Sequence, residues 1–362
     1  MRIPFLFVVL TTAWLLCAAY AAEPASRLER RDFFVAGDPG VRLFVREVKT
    51  SNAGTAILLV HGARVPGLAS FDLPVEGGSL AADLARSGLD VYVMDVRGYG
   101  KSARPAEMEQ PAEAHAPVVH SNEAARDIGA VVDAIRKQRH ASGVALFGWA
   151  TGGQWAGYYT SLYPEKVSLL ILLNSLYRGN SAEAAVGHGS ELEDGTHPGR
   201  FNRAACGAYR WNRADSLLGS WNRSIPLENK SAWRDPAVAN AYVEAALASD
   251  AESASRNPHA FRSPCGALED SFYLAIGRQL WDASLITAPT LVIASEHDFW
   301  SRPEDRENLV ADLVHAAKVR AVVIPGATHF VHLDRGDRGR EVLLKEIEEF
   351  VAGAERPSVE GK

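Results

Sequence analysis

The apolar run Val144–Phe147 is followed directly by Gly148-Trp149-Ala150-Thr151-Gly152-Gly153 and then by a helix-forming segment. Strand, tight turn flanked by small residues, helix: in its usual form, G-x-S-x-G, this turn raises a serine hydroxyl into position for attack. Small neighbours are needed because the central residue is strained and the flanking backbone runs close to adjacent strands. Here the central residue is Ala150, which has no nucleophilic atom. A register shifted by one would make Thr151 the nucleophile, but it would put Trp149 where the turn needs a small side chain. Gly148 and Gly152 bracket Ala150 symmetrically, so Thr151 is read as the residue after the apex.

Such a turn needs a sheet behind it. Residues 31–50 alternate apolar and polar around Gly37-Asp38-Pro39-Gly40, a hairpin signal. Apolar runs then recur at 55–60, 91–95, 144–147 and 167–174, with helical stretches at 79–87, 122–139 and 153–163 between them. Alternating strands and helices imply a mostly parallel sheet covered on both faces. The alternation breaks from about 176 to 285, a stretch with helical pieces at 237–248 and 268–280. It resumes at 290–295 and 320–324, and an amphipathic helix at 339–352 closes the chain. The expected organisation is a core over 22–175 and 286–352, a helical cap over 176–285 and a flexible tail over 353–362.

In an open parallel sheet, chemistry gathers beyond the carboxyl ends of the strands. There the sequence resembles the α/β-hydrolase superfamily over about residues 40–352, with a serine esterase or lipase-like arrangement and alanine at the apex position. His61-Gly62-Ala63 stands where that superfamily has its oxyanion loop, and Asp95-Val96-Arg97-Gly98-Tyr99-Gly100-Lys101-Ser102 is similar to its D-x-R-G-x-G-x-S segment. Glu296-His297-Asp298 matches the position of the acid, and Gly326-Ala327-Thr328-His329-Phe330 that of the histidine loop. The resemblance implies His329 as a base oriented by Asp298, backbone donors from Ala63 and Thr151, and action on a carboxylic ester or related acyl bond. Three readings of Ala150 stand open. The chain is a Ser-to-Ala variant of a serine esterase; or alanine is native and His329 works as a general base without a nucleophile; or the site binds a ligand without turnover, as a pseudo-hydrolase.

Trp149 and Trp300 are the candidate substrate-binding residues. Trp155 also lies near the turn, and Trp211, Trp221, Trp233 and Trp281 are either cleft wall or cap core. An aromatic-walled cleft would suit a small apolar or aromatic substrate. Arg203, Arg210, Arg213 and Arg223 make part of the cap basic, through either a carboxylate-bearing ligand or a solvated face. Asp127, Asp133 and Arg136 read as surface positions. His188, His197 and His259 lack ligand-like spacing, so no metal and no cofactor are expected.

The 362 residues are 47% apolar with a net charge of −6, which excludes a disordered chain and argues against nucleic-acid binding. Met1-Arg2, the apolar run 3–16 and Ala19-Tyr20-Ala21 read as a signal peptide over 1–21, implying a secreted or periplasmic protein with no stable membrane span. Cys17 would leave with it. Cys206 and Cys265 then remain, as a disulfide or as two buried thiols. Oligomeric state is not legible.

Overall fold

A computed structural model of the chain describes residues 27–51, 54–179 and 185–355. The expected signal segment lies outside these residues, as does most of the expected tail. The N-terminal hairpin pairs β1 (Glu29–Ala36) with β2 (Arg42–Lys49) antiparallel. They form one edge of an eight-stranded sheet with β3 (Ala56–Val60), β4 (Asp90–Met94), β5 (Val144–Trp149), β6 (Val167–Leu173), β9 (Thr290–His297) and β10 (Val319–Thr328). The order is β1-β2-β4-β3-β5-β6-β9-β10, and every pair from β4 to β10 is parallel. The carboxyl ends of β3, β5, β6, β9 and β10 therefore open on one edge.

Strand side chains alternate between the two faces, and the core follows. Ile57, Leu59, Ala145, Phe147, Ile171 and Leu173 pack on one side, and Leu58, Val60, Leu146, Leu170 and Leu172 on the other. The first face is covered by α1 (Gly67–Phe71), α2 (Leu80–Arg86) and the closing α10 (Arg340–Glu355). The second is covered by α3 (Ser121–Arg139), α4 (Thr151–Leu162) and α9 (Pro303–Asp312). Ser79 caps α2 by accepting from the Ala82 amide at 2.9 Å.

The cap falls between β6 and β9 and carries α5 (Ala214–Leu217), α6 (Gly219–Ser224), α7 (Pro236–Ala248) and α8 (Gly266–Ala275). It is not wholly helical. β7 (Tyr209–Arg213) pairs antiparallel with β8 (Ala260–Pro264) across a gap of almost fifty residues, a pairing that local periodicity cannot reveal. α8 also ends before the expected residue 280, where Gly277 turns the chain at φ +89°. Cys206 and Cys265 form a disulfide, tying the segment before β7 to the start of α8. Asp127 is a correction to the surface reading. It is fully buried on α3 and accepts from the Arg97 guanidinium and the Arg97 amide, so it anchors the segment after β4.

Candidate active site

Ala150 joins β5 to α4 at φ 54° and ψ −121°. A positive φ is strained for any residue with a Cβ, and neighbouring backbone holds it. Ala150 N–H donates to Leu173 O at 2.8 Å, and Ala150 O accepts from Gly153 N–H at 3.0 Å. A Cβ at Gly148 would drive into the Gly152 backbone, and one at Gly152 into the carbonyls of Val60 and His61. Both positions therefore require glycine. The loop after β3 lies on the apex: a Cβ at Gly62 would sit 3.5 Å from the Ala150 methyl.

His61 shapes that loop. Its Nδ1–H donates to Gly62 O at 2.7 Å and its Nε2 accepts from Val96 N–H at 3.1 Å. Burial pushes its pKa down to about 4, so the ring is neutral, as this bonding requires. Tyr99 packs edge-on against His61 and donates its hydroxyl to Ala63 O at 2.9 Å. Among the described residues, the backbone N–H groups of Ala63 and Thr151 have no acceptor.

His329 follows β10, and its Nδ1 lies 2.5 Å from Asp298 Oδ1, with both side chains almost fully buried. Asp298 also accepts from Trp300 N–H at 3.0 Å, Ser301 N–H at 2.9 Å and Ser301 Oγ–H at 2.5 Å. Four donors fix the carboxylate, and the carboxylate fixes the ring as the Nδ1–H tautomer. Nε2 has no hydrogen-bond partner among the described residues. The His329 carbonyl is held from two other strands, by Trp149 Nε1–H at 3.0 Å and Asn174 Nδ2–H at 3.2 Å. Asn174 itself sits at φ 52° and exchanges bonds with Ser295.

Rings surround the imidazole. Trp149, Phe299 and Phe330 have centroids 5.2, 4.7 and 5.3 Å from His329. The cap contributes Trp221, stacked on Phe330 at 4.8 Å, with its Nε1–H donated to Asp334 Oδ1 at 2.8 Å. Asp334 also accepts from Thr328 Oγ1 at 2.6 Å, and burial pushes its pKa up to about 6. His332 is fully buried 4.4 Å from Trp149, and burial with His329 nearby lowers its pKa well below the usual value.

The residues read from the sequence thus meet: Ala150, Thr151, Ala63, His329 and Asp298 share one sheet edge. Trp149 reaches the site mainly as a clamp, being 4% exposed with its N–H engaged. Trp300 packs where the main core meets the cap clusters, and its backbone serves Asp298. Trp155 is core, beneath His61 and Tyr99. Sequence reasoning missed Asn174, Ser301, Phe299, His332 and Asp334. Asn174 carried a signal, since it directly follows an apolar run at a strand end. Asp334 carried none.

An oxyanion-type loop, an apex turn, an acid and a histidine at the carboxyl ends of parallel strands β3, β5, β9 and β10 define an α/β hydrolase. The chain belongs to the serine aminopeptidase S33 family, whose profile matches residues 76–336. The residue at the apex of its β5–α4 turn is Ala150. No curated protein sequence matches it. Its fold is similar to that of the thioesterase domain from the curacin biosynthetic pathway, with 17% identity over 88% of this chain and 99% of that one and a TM-score of 0.55. A thermophilic esterase from Thermogutta terrifontis is similar at 18% identity over 91% and 100%, with a TM-score of 0.53. An esterase from Exiguobacterium antarcticum is similar at 18% identity over 89% and 100%, with a TM-score of 0.54.

Proposed function

We propose that this chain hydrolyses a carboxylic ester or related acyl bond of a small molecule without a covalent intermediate, after export from the cytoplasm. His329 Nε2 takes a proton from water as the water oxygen attacks the acyl carbon. The N–H groups of Ala63 and Thr151 stabilise the oxyanion, and the imidazolium returns its proton to the leaving alkoxide as the tetrahedral species collapses. General-base help contributes about 10²–10⁴-fold, and each oxyanion donor about 10²–10³-fold. These are large enough to matter even though removing a serine nucleophile from subtilisin costs on the order of 10⁶ in kcat.

The observation that carries this reading is the His329–Asp298 pair at 2.5 Å with Nε2 left unpartnered. A ring held as Nδ1–H by a carboxylate, with its other nitrogen open, is a positioned base. The strained Ala150 backbone points the same way, because strain of this kind persists where function maintains it.

The test is a panel of p-nitrophenyl esters of several chain lengths. The unaltered chain is expected to turn over at least one ester without an acyl-enzyme burst. His329→Ala should abolish that turnover, and Ala150→Ser should raise it and introduce a burst. An Ala150→Ser variant that stays inert across the panel overturns the proposed site. Inert unaltered protein that still binds the esters, with an active Ala150→Ser, would identify a ligand-binding pseudo-hydrolase instead. Export is checked by N-terminal sequencing of the mature protein, expected to begin near residue 22.

A further inference from the structure

β7 sends alternate side chains to opposite faces. Tyr209 and Trp211 take one face, where the Arg262 guanidinium lies 5.9 and 5.6 Å from their ring centroids and is paired with Asp250. Arg210 and Asn212 take the other. Asn212 Oδ1 accepts from Arg64 Nε at 3.2 Å, and Arg64 Nη2 donates to Ser216 Oγ at 2.7 Å. Arg64 directly follows Ala63, so this face of β7 brings a second guanidinium to the oxyanion-type loop.

Both arginines are half-buried, and among the described residues neither forms an ion pair with a carboxylate. Arg210 Nε is buried with no acceptor. The other cap arginines singled out from the sequence behave differently: Arg213 is exposed and paired with Asp215, and Arg203 and Arg223 are exposed. Burial first, and Arg64 second, push Arg210 down to about 10, and burial lowers Arg64 as well. Two like charges drawn out of water without an acid are costly to hold together. An arriving anion relieves that cost, and a guanidinium fork matches a carboxylate.

We propose that Arg64 and Arg210 form an anion subsite beside the oxyanion-type loop, and that the acyl substrate carries a carboxylate bound by both guanidinium groups. The inference rests on the reading above for the orientation of that loop toward the reacting carbonyl. The body of the substrate then lies beside Phe299, the half-buried ring that packs against His329.

Binding tests this without turnover. Monomethyl glutarate, a half-ester with one free carboxylate, is compared with neutral dimethyl glutarate by calorimetry on the full chain. The half-ester is expected to bind at least tenfold tighter. Arg210→Met should erase that preference while leaving dimethyl glutarate affinity within about twofold, and Arg210→Lys should restore part of it. Thermal unfolding of each variant confirms folding, and Arg64→Lys, which keeps the charge but loses the fork, should fall between the two. Equal affinity for the two esters, or a preference that survives Arg210→Met, overturns the subsite. Inorganic phosphate competing more strongly than acetate overturns the carboxylate assignment. Loss of ester turnover with the preference intact would instead defeat the catalytic reading alone.

Discussion

At the scale of single residues, Ala150 separates two quantities that a serine would combine. Its backbone strain belongs to the turn, and its missing oxygen belongs to the chemistry. Glycine tolerates φ +54° without a Cβ penalty, so Ala150→Gly should stabilise the fold by about 1 kcal/mol, the strain relieved less the added entropy of the unfolded chain. Chemical denaturation reads this directly, and a loss of stability would show that the methyl packs better than the strain costs. Asp298 acts on the other side of the site. Asp298→Asn keeps the shape but loses the charge and presents the wrong tautomer to Nδ1, so turnover should fall by about 10³–10⁴. A drop below tenfold in the ester assay would remove Asp298 from its role as orienter.

At the scale of elements, the apex works because β5 and α4 meet through two glycines. A methyl group at Gly152 collides with two carbonyls at the end of β3, and backbone cannot yield as a flexible side chain can. Gly152→Ala should therefore cost about 3 kcal/mol or more of stability, and its activity should suffer beyond what unfolding explains. The cap relies on a different device. The disulfide spans a separation of 59 residues, and losing it through Cys206→Ser with Cys265→Ser should cost about 2–4 kcal/mol. The variant should lose cap contacts first, visible as faster amide exchange in β7 and β8 than in β5 and β6. The local patterns told much of this in advance. The positions of the sheet strands and the long α3 were legible, because each depends on residues within a few positions. The β7–β8 pair was not, because the alternation in β7 spans only four residues, β8 has none, and the partner lies some fifty residues away.

At the scale of the whole molecule, buried titratable groups couple stability to pH in opposite directions. Asp334, held near 6, binds its proton more tightly folded than unfolded, so its contribution falls as pH rises from about 4 to 6. His61, held near 4, binds its proton more weakly when folded, so its contribution is lost as pH falls from about 6.5 towards 4. The two partly cancel, and a variant separates them. Asp334→Asn should gain up to about 3 kcal/mol relative to the parent between pH 4 and pH 7, since a carboxyl held near 6 rather than near 4 is worth about that much. A difference from the parent that does not vary with pH would show that Asp334 does not titrate in this window. Asp334 matters beyond its own charge, because it joins Trp221 of the cap to Thr328 beside the histidine.

By itself, the order of residues along this chain determined the α/β architecture, the five loops that carry the site and the absence of an oxygen at the apex. Apolar runs commit backbone to buried parallel strands, and parallel strands deliver their carboxyl ends to one edge whatever the loops contain. Only the tertiary structure decided that Asp127 is buried against Arg97, that Trp149 and Asn174 clamp the His329 carbonyl, and that Asn212 of β7 takes a hydrogen bond from Arg64. Those facts join residues 30 to 180 positions apart, where a side chain's charge and burial are set by what folding packs against it and not by its neighbours in the chain.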